Sequence, residues 1–139
     1  TRHAGSQLKH LKERQLQELG RAVGFEPPAV AHVLAAVDQP LALAEDSPVR
    51  RFLLQCAATY LCDCWQEGKP LDPVARFHLG NGARVERINW AGDPTSKGLK
   101  QSYGLMVNYL YDLKRLDRHR ELLTKTQVPR SSAVEDLLP

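Results

Sequence analysis

Residues 72–93 read DPVARFHLGNGARVERINWAGD, and the rest of the chain is most easily understood from this stretch. Gly80-Asn81-Gly82 has the composition of a tight turn, because glycine and asparagine adopt the positive φ angles that short hairpin turns require. The segments on either side, Val74–Leu79 and Ala83–Trp90, are extended in character. The pattern predicts a β-hairpin over residues 72–93.

Within this predicted hairpin, His78 is the residue with the most useful chemistry. Strand alternation puts Phe77 and Leu79 on one face, and Arg76 and His78 on the other. An imidazole near the end of a rigid strand, beside a glycine turn, is well placed to meet a ligand. On spacing alone, a half-exposed histidine on a sheet face is the more common explanation, so the pattern by itself gives His78 no function.

The composition is that of one ordinary globular domain. The chain has 139 residues, 42% of them hydrophobic and 25% charged, which allows a sizeable core. No apolar run approaches the roughly 20 residues that cross a bilayer, so no membrane partner is expected. A net charge of +3 suits an anionic small ligand and is too weak to indicate nucleic acid. No signal peptide is visible, although a processed or cropped start before Thr1 stays open.

Three cysteines lie close together, at Cys56, Cys62 and Cys64. Their odd number argues against a disulfide framework, and Cys62-Asp63-Cys64 has no second pair to complete a zinc site. On a helix, Cys56 and Cys64 share the apolar face and Cys62 does not. We therefore predict reduced thiols, no metal site, and a reducing compartment such as the cytoplasm.

The first half of the chain has helical patterns. Residues 1–6 have loop composition, and residues 7–23 and 28–38 form a predicted helical hairpin, so that 1–46 is a helical hairpin with its connector. Ser47-Pro48 predicts the start of an amphipathic helix over 47–67, ended by Gly68-Lys69-Pro70. The apolar stripe that we expect to pack on the hairpin's sheet is Val49, Phe52, Leu53, Cys56, Tyr60, Cys64 and Trp65.

Residues 95–139 predict a long helix and a tail. Thr95 or Ser96 can cap a helix to about Leu116, and residues 117–127 either continue it or fray. Ser132-x-x-Glu135 has the pattern of a capping box for a last helical turn that docks on another surface. The stripe of the long helix is Leu99, Tyr103, Met106, Leu110 and Leu113.

Three blocks of sequence, in one order and at one spacing, resemble the malonyl-CoA decarboxylase family. They are DPVARFHLGNGA at 72–83, RINWAGD at 87–93 and GLMVNYLY at 104–111. Weaker similarity extends from about residue 8 to about residue 116. The resemblance covers most of this chain and only the C-terminal part of the family's proteins.

The resemblance implies a fold, a reaction and partners. Proteins of the family convert malonyl-CoA to acetyl-CoA and carbon dioxide without a metal or organic cofactor, and coenzyme A enters as part of the substrate. The implied fold class is α+β, with helices packed on a β-hairpin that belongs to a larger GNAT-like acyltransferase sheet. The implied partners are malonyl-CoA, the N-terminal remainder of the same protein, and further copies in a homo-oligomer. The implied location is the cytoplasm, or the mitochondrial matrix if the source is eukaryotic.

The resemblance also assigns roles to three residues. The family's histidine, in the FHL-NG motif, corresponds to His78, and its tyrosine, the second of the NY-Y pair, corresponds to Tyr111. We expect both to be catalytic and substrate-binding, and Asn81 to be substrate-binding. The family's serine, before Pro-x-Pro-Gly-Phe, and its glutamate segment are absent here. We therefore expect a fragment that is incomplete alone.

Two other functions stay open at this stage. The first is a non-catalytic acyl-CoA-binding or regulatory module of the same fold, which lacks the serine. The second and weaker one is a small helical interaction domain without a ligand. A Ser-Pro-x-Pro-Gly-Phe segment upstream of Thr1 would favour the enzyme.

Overall fold

The computed structural model describes residues 2–7, 48–90 and 105–138. Helices and small antiparallel sheets occur together, so the α+β class is confirmed. The predicted helices at 7–23 and 28–38 and the connector at 39–46 lie outside the described residues, except Gln7. The elements are β1 (Arg2–Gln7), α1 (Pro48–Asp63), β2 (Trp65–Gln66), β3 (Lys69–Pro70), α2 (Pro73–Gly80), β4 (Arg84–Asn89), β5 (Met106–Tyr111), α3 (Leu116–Thr124) and α4 (Ser132–Glu135).

Strand β5 is the centre of a three-stranded antiparallel sheet with the order β1-β5-β4. Leu110 is the common partner of His3 on β1 and Arg84 on β4. The prediction of a loop at residues 1–6 is wrong, because Arg2–Gln7 pairs along the whole of β5. RHAGSQ has little intrinsic strand preference, so the pairing rather than the local sequence makes it a strand.

The predicted hairpin at 72–93 is wrong in its first half, because Pro73–Gly80 is a helix. Asp72 caps that helix: its Oδ2 accepts from the backbone N–H of Ala75 at 2.9 Å, and its Oδ1 accepts from the hydroxyl of Tyr60 at 3.2 Å. An aspartate cap followed by proline in the first turn is a strong helix start. Gly80-Asn81-Gly82 therefore ends a helix instead of joining two strands, and only the second half, Arg84–Asn89, is a strand.

Helix α1 starts at Pro48 as predicted and ends at Asp63, earlier than expected. The next residues form a two-stranded ribbon, whose turn has positive φ at Glu67 and Gly68, typical of a type I′ turn. Cys62 is buried as well as Cys56, so α1 is covered on more than one face. The buried side chains of α1 are Phe52, Leu53, Cys56, Ala57, Ala58, Thr59, Tyr60, Leu61 and Cys62.

The cysteines of the described ranges are all free thiols. Burial raises the pKa of Cys62 to about 11 and that of Cys56 to about 12, which keeps both protonated at neutral pH. Within residues 2–7, 48–90 and 105–138, no group of histidine, cysteine and carboxylate side chains is placed to hold a metal ion. In the same ranges, no helix has the length and apolar character needed to cross a membrane.

The predicted long helix at 95–116 is wrong where it can be compared, because Met106–Tyr111 is strand β5. MVNYLY is a short apolar run that fits a buried strand or a helix by periodicity, and pairing on both sides selects the strand. Residues 91–104 lie outside the described part. After β5 and a turn, Leu116–Thr124 forms a separate helix, α3, so residues 117–127 neither continue the predicted helix nor fray along their whole length.

The predicted last helical turn is present, with a different cap. Ser131, not Ser132, is the N-cap of α4: its side-chain oxygen accepts from Val134 N at 3.3 Å, and its hydroxyl donates to Glu86 O at 2.6 Å. Val85 of β4 exchanges backbone hydrogen bonds with Pro129 and Ser131. Val134 is buried, so the tail docks on β4 as expected.

Three glycines give a graded stability test in the protein that carries this chain. Gly80→Ala adds a methyl group in open space at a helix end, so we expect a change below about 1 kcal/mol, in the stabilising direction. The backbone at Gly68 is left-handed, with φ 76°. Gly68→Ala places an alanine in that conformation without a steric clash, which should cost roughly 1–2 kcal/mol. Gly82→Ala combines φ 90° with a Cβ only 2.8 Å from the carbonyl oxygen of Leu116, so it should cost most. Melting temperatures in the order Gly80→Ala, Gly68→Ala, Gly82→Ala, highest first, are expected, and equal values for the last two would contradict the close approach.

Candidate functional site

Helix α2 and strand β5 bring two predicted site residues into direct contact. His78 is in the last turn of α2 and Tyr111 is the last residue of β5. The Nδ1 atom of His78 lies 2.5 Å from the hydroxyl oxygen of Tyr111, although the two residues are 33 positions apart in sequence. The rings meet edge to face, with centroids 5.8 Å apart. His78 and Tyr111 thus form one hydrogen-bonded pair.

A third aromatic residue, Tyr109, stacks against one face of the His78 imidazole. The rings of His78 and Tyr109 are stacked, with centroids 4.5 Å apart and an angle of 22° between their planes. Tyr109 is completely buried, so it fixes one face of the imidazole. The sequence pattern did not indicate Tyr109, because residues 104–111 were predicted to be helical. On a strand, positions 109 and 111 share a face, and that alternation is the signal that would have found Tyr109.

Partial burial changes the titration of both members of the pair. Loss of water contact disfavours the charged forms, so it lowers the pKa of His78 below its usual 6.5 and raises the pKa of Tyr111 above its usual 10.0. At neutral pH the site therefore holds a neutral imidazole and a neutral phenol. A neutral imidazole carries a single ring proton, so the contact with Tyr111 decides which nitrogen bears it.

The apolar neighbours of His78 differ from the prediction. Phe77 and Leu79 do not share a face, because this segment is helical: Phe77 is 64% exposed and Leu79 is fully buried. The rings of Phe77 and His78 meet edge to face, with centroids 5.2 Å apart. An exposed aromatic ring thus stands beside the imidazole at the surface, while Leu79 anchors α2 in the core.

Asn81, the third predicted site residue, lies at the C-terminal end of α2. Its side-chain Nδ2 donates to the carbonyl oxygen of Phe77 at 2.8 Å, and its backbone N–H donates to His78 O at 3.1 Å. The observed contacts are those of a helix cap. Asn81 is therefore close to His78 in the chain and helps to shape the helix end that carries it.

The fold and the pair together define an α+β domain in which a neutral histidine is hydrogen-bonded to a tyrosine. Such a pair can take part in acid–base chemistry. Comparison with known proteins identifies the family to which this domain belongs. A sequence model of the malonyl-CoA decarboxylase C-terminal domain matches residues 9–139. The chain belongs to the malonyl-CoA decarboxylase family, and the resemblance seen in the three sequence blocks is confirmed.

Curated relatives and solved structures agree. The chain is 47% identical over 79 residues to the mitochondrial malonyl-CoA decarboxylase of Rattus norvegicus, covering 57% of this chain and 15% of that protein. The mitochondrial malonyl-CoA decarboxylase of Mus musculus is 52% identical over 62 residues, covering 45% of this chain and 13% of that protein. The crystal structure of malonyl-CoA decarboxylase from Cupriavidus metallidurans superposes with a TM-score of 0.81 at 35% identity, covering 98% of this chain and 38% of that one. The malonyl-CoA decarboxylase structure from Rhodopseudomonas palustris superposes with a TM-score of 0.79 at 36% identity, covering 99% of this chain and 33% of that one. The chain therefore spans well under half of these relatives.

The lowered pKa of His78 predicts a pH dependence of stability. Because the folded pKa lies below 6.5, the unfolded protein binds more protons as the pH falls below 6.5, and folding loses stability in that window. In a His78→Gln variant this contribution is removed. We expect the melting temperature of the parent to fall more steeply than that of His78→Gln as the pH decreases from 6.5. Parallel curves for the two proteins would contradict the lowered pKa.

Proposed function

We propose that this chain carries the C-terminal part of the active site of a malonyl-CoA decarboxylase, which converts malonyl-CoA to acetyl-CoA and carbon dioxide. The observation that carries the proposal is the 2.5 Å contact between His78 Nδ1 and Tyr111 Oη. These are the residues that correspond to the family's histidine and tyrosine. In this proposal no metal or organic cofactor takes part, and coenzyme A is the carrier portion of the substrate.

The reaction makes two demands on the site. When the bond between the α-carbon and the carboxylate breaks, its electron pair passes to the α-carbon and the thioester oxygen as an enolate. The site must stabilise that charge with oriented donors and then deliver one proton to the α-carbon. An imidazole suits both tasks, since its ordinary pKa is near neutrality.

In the proposed arrangement the hydroxyl of Tyr111 donates to Nδ1 of His78. This places the ring proton on Nε2, which points away from Tyr111 and toward the substrate. The stacked ring of Tyr109 holds the plane of the imidazole. Nε2–H then hydrogen-bonds the developing enolate. As Nε2 passes its proton to the α-carbon, directly or through the family's serine, Nδ1 takes the proton of the Tyr111 hydroxyl, so that the ring stays neutral, and solvent then reprotonates Tyr111.

The same proposal includes groups outside this chain. The serine and glutamate belong to an N-terminal remainder, which together with this chain completes a GNAT-like sheet and forms a homo-oligomer. Among the described strands β1 is paired on one side only, which supports an extension of the sheet there. Asn81 borders the substrate in this arrangement. The mitochondrial relatives support the matrix as the compartment in a eukaryotic source, and the cytoplasm otherwise.

Replacing His78 tests the proposal in the complete enzyme. His78→Asn keeps a polar side chain and removes the titratable ring, so we expect kcat to fall by roughly 10²–10⁴, the usual contribution of a positioned acid–base group. Malonyl-CoA binding and the melting temperature should stay near those of the parent. The measurement is acetyl-CoA formation beside calorimetric binding and thermal unfolding. Lys114→Asn, at an exposed position on the same chain, is the matched control and should keep parental kcat.

Replacing Tyr111 tests whether the tyrosine contributes less to the reaction rate than His78 does. Tyr111→Phe keeps the ring and removes only the hydroxyl that orients the imidazole, so its kcat should lie between those of the parent and His78→Asn. Parental activity in His78→Asn would refute the assignment. A parent that binds malonyl-CoA tightly and forms no acetyl-CoA would instead support the acyl-CoA-binding module.

A further inference from the structure

Helix α3 begins directly over the turn that follows His78. Gly82, in that turn, has φ 90°, and a Cβ added to it would lie 2.8 Å from the carbonyl oxygen of Leu116, the first residue of α3. Backbone therefore meets backbone at this point, and only glycine fits. The end of α2 and the start of α3 are therefore in direct backbone contact.

One turn into α3, His119 is buried, with 6% of its surface exposed. Its Nδ1 lies 2.9 Å from the carbonyl oxygen of Gly82. A carbonyl oxygen only accepts, so the imidazole donates from Nδ1. The next residue, Arg120, donates from its guanidinium to the carbonyl oxygen of Asn81 at 3.3 Å. Two neighbouring side chains of α3 thus hold two consecutive carbonyl groups of the turn.

Both of these carbonyls belong to peptide groups that also bind α2. The Gly82 carbonyl shares its peptide with the N–H of Ala83, which donates to the carbonyl oxygen of His78 at 3.1 Å. The Asn81 carbonyl shares its peptide with the N–H of Gly82, which donates to Leu79 O at 3.0 Å. A continuous series of hydrogen bonds therefore runs from His119, through one peptide group, to the backbone of His78. Such chains polarise one another, and a buried one is rigid.

We infer that His119 is a positioning residue for His78, which it holds in register with Tyr109 and Tyr111 through the Gly82–Ala83 peptide. The inference rests on the proposed function, because the register matters for the reaction. The His78 ring sits between a 4.5 Å stack and a 2.5 Å hydrogen bond, and a shift of its helix end changes both. His119 touches no reacting atom in this arrangement and acts only through the backbone.

The test compares His119→Leu with His119→Asn in the complete enzyme. Leucine removes the donor, whereas asparagine carries an amide nitrogen at nearly the position of Nδ1 and can donate to the same carbonyl. We expect His119→Leu to lower kcat by roughly 10- to 100-fold, the usual effect of a misplaced catalytic group, with KM changed much less. His119→Asn should restore most of kcat. The second readout is the nitrogen NMR shifts of the His78 ring, which report its bond to Tyr111: they should change in the leucine variant and return in the asparagine variant.

A merely structural role predicts a different pattern, in which the melting temperature falls while kcat and the His78 shifts, both measured well below melting, stay parental. That result would overturn the inference. If His119→Leu does not fold, His119→Gln replaces it, because its donor lies one bond farther out: a loss of kcat supports the inference and parental kcat overturns it. His78→Asn in the same assay separates the two proposals. If it is inactive while folded His119→Leu has parental kcat, only the inference about His119 fails. If it is fully active, the proposed function fails.

Discussion

Hydrogen bonding along both edges of β5 is the constraint on which the described structure depends. β1 and β4 pair antiparallel to it on opposite sides, and the tail at 128–135 is in turn bonded to β4. One face of β5 presents Tyr109 and Tyr111 to α2. If β5 were helical, as its apolar spacing first indicated, these two rings would point in directions about 160° apart, and no common support for His78 would exist.

Helix α2 is short, and contacts at both of its ends define its position. At the N-terminus, Asp72 is buried and joins the backbone N–H of Ala75 to the hydroxyl of Tyr60 in the core. Burial, and after it that carboxylate, raise the pKa of Tyr60, so the hydroxyl stays a donor throughout the physiological range. At the C-terminus, α3 holds the turn. A two-turn helix has little stability of its own, so the accuracy with which it places His78 comes from these anchors.

Sequence predicted some of these features and missed others for identifiable reasons. The start of α1 was recoverable, because Ser47-Pro48 is a local cap signal. The strand at 84–89 was predicted as the second half of the hairpin, although its buried residues Val85 and Ile88 are three positions apart and a β-bulge at 85–87 interrupts the alternation. The assignment of His78 and Tyr111 came from family resemblance and not from periodicity. The helical state of 73–80 was also signalled locally, by Asp72-Pro73, but the glycine turn at 80–82 suggested a hairpin more strongly. The strand β1 depends on a partner far along the chain, which no local pattern contains. The role of Tyr109 follows from alternation with Tyr111 only once residues 106–111 are known to be a strand.

The separation in sequence of the paired strands has a consequence for the order of folding. Arg2 of β1 pairs with Tyr111 of β5, and His78 reaches Tyr111 across 33 positions, so the site consists of contacts of high contact order. Local elements such as α1 and the ribbon at 65–70 can form early, whereas closing long loops is slow and costs chain entropy. A partly folded molecule can therefore contain helix α2 with its histidine and still lack the pair. We expect the contact between His78 and Tyr111 to form after helix α2, and the pairing of Arg2 with Tyr111, which closes a much longer loop, to form later still.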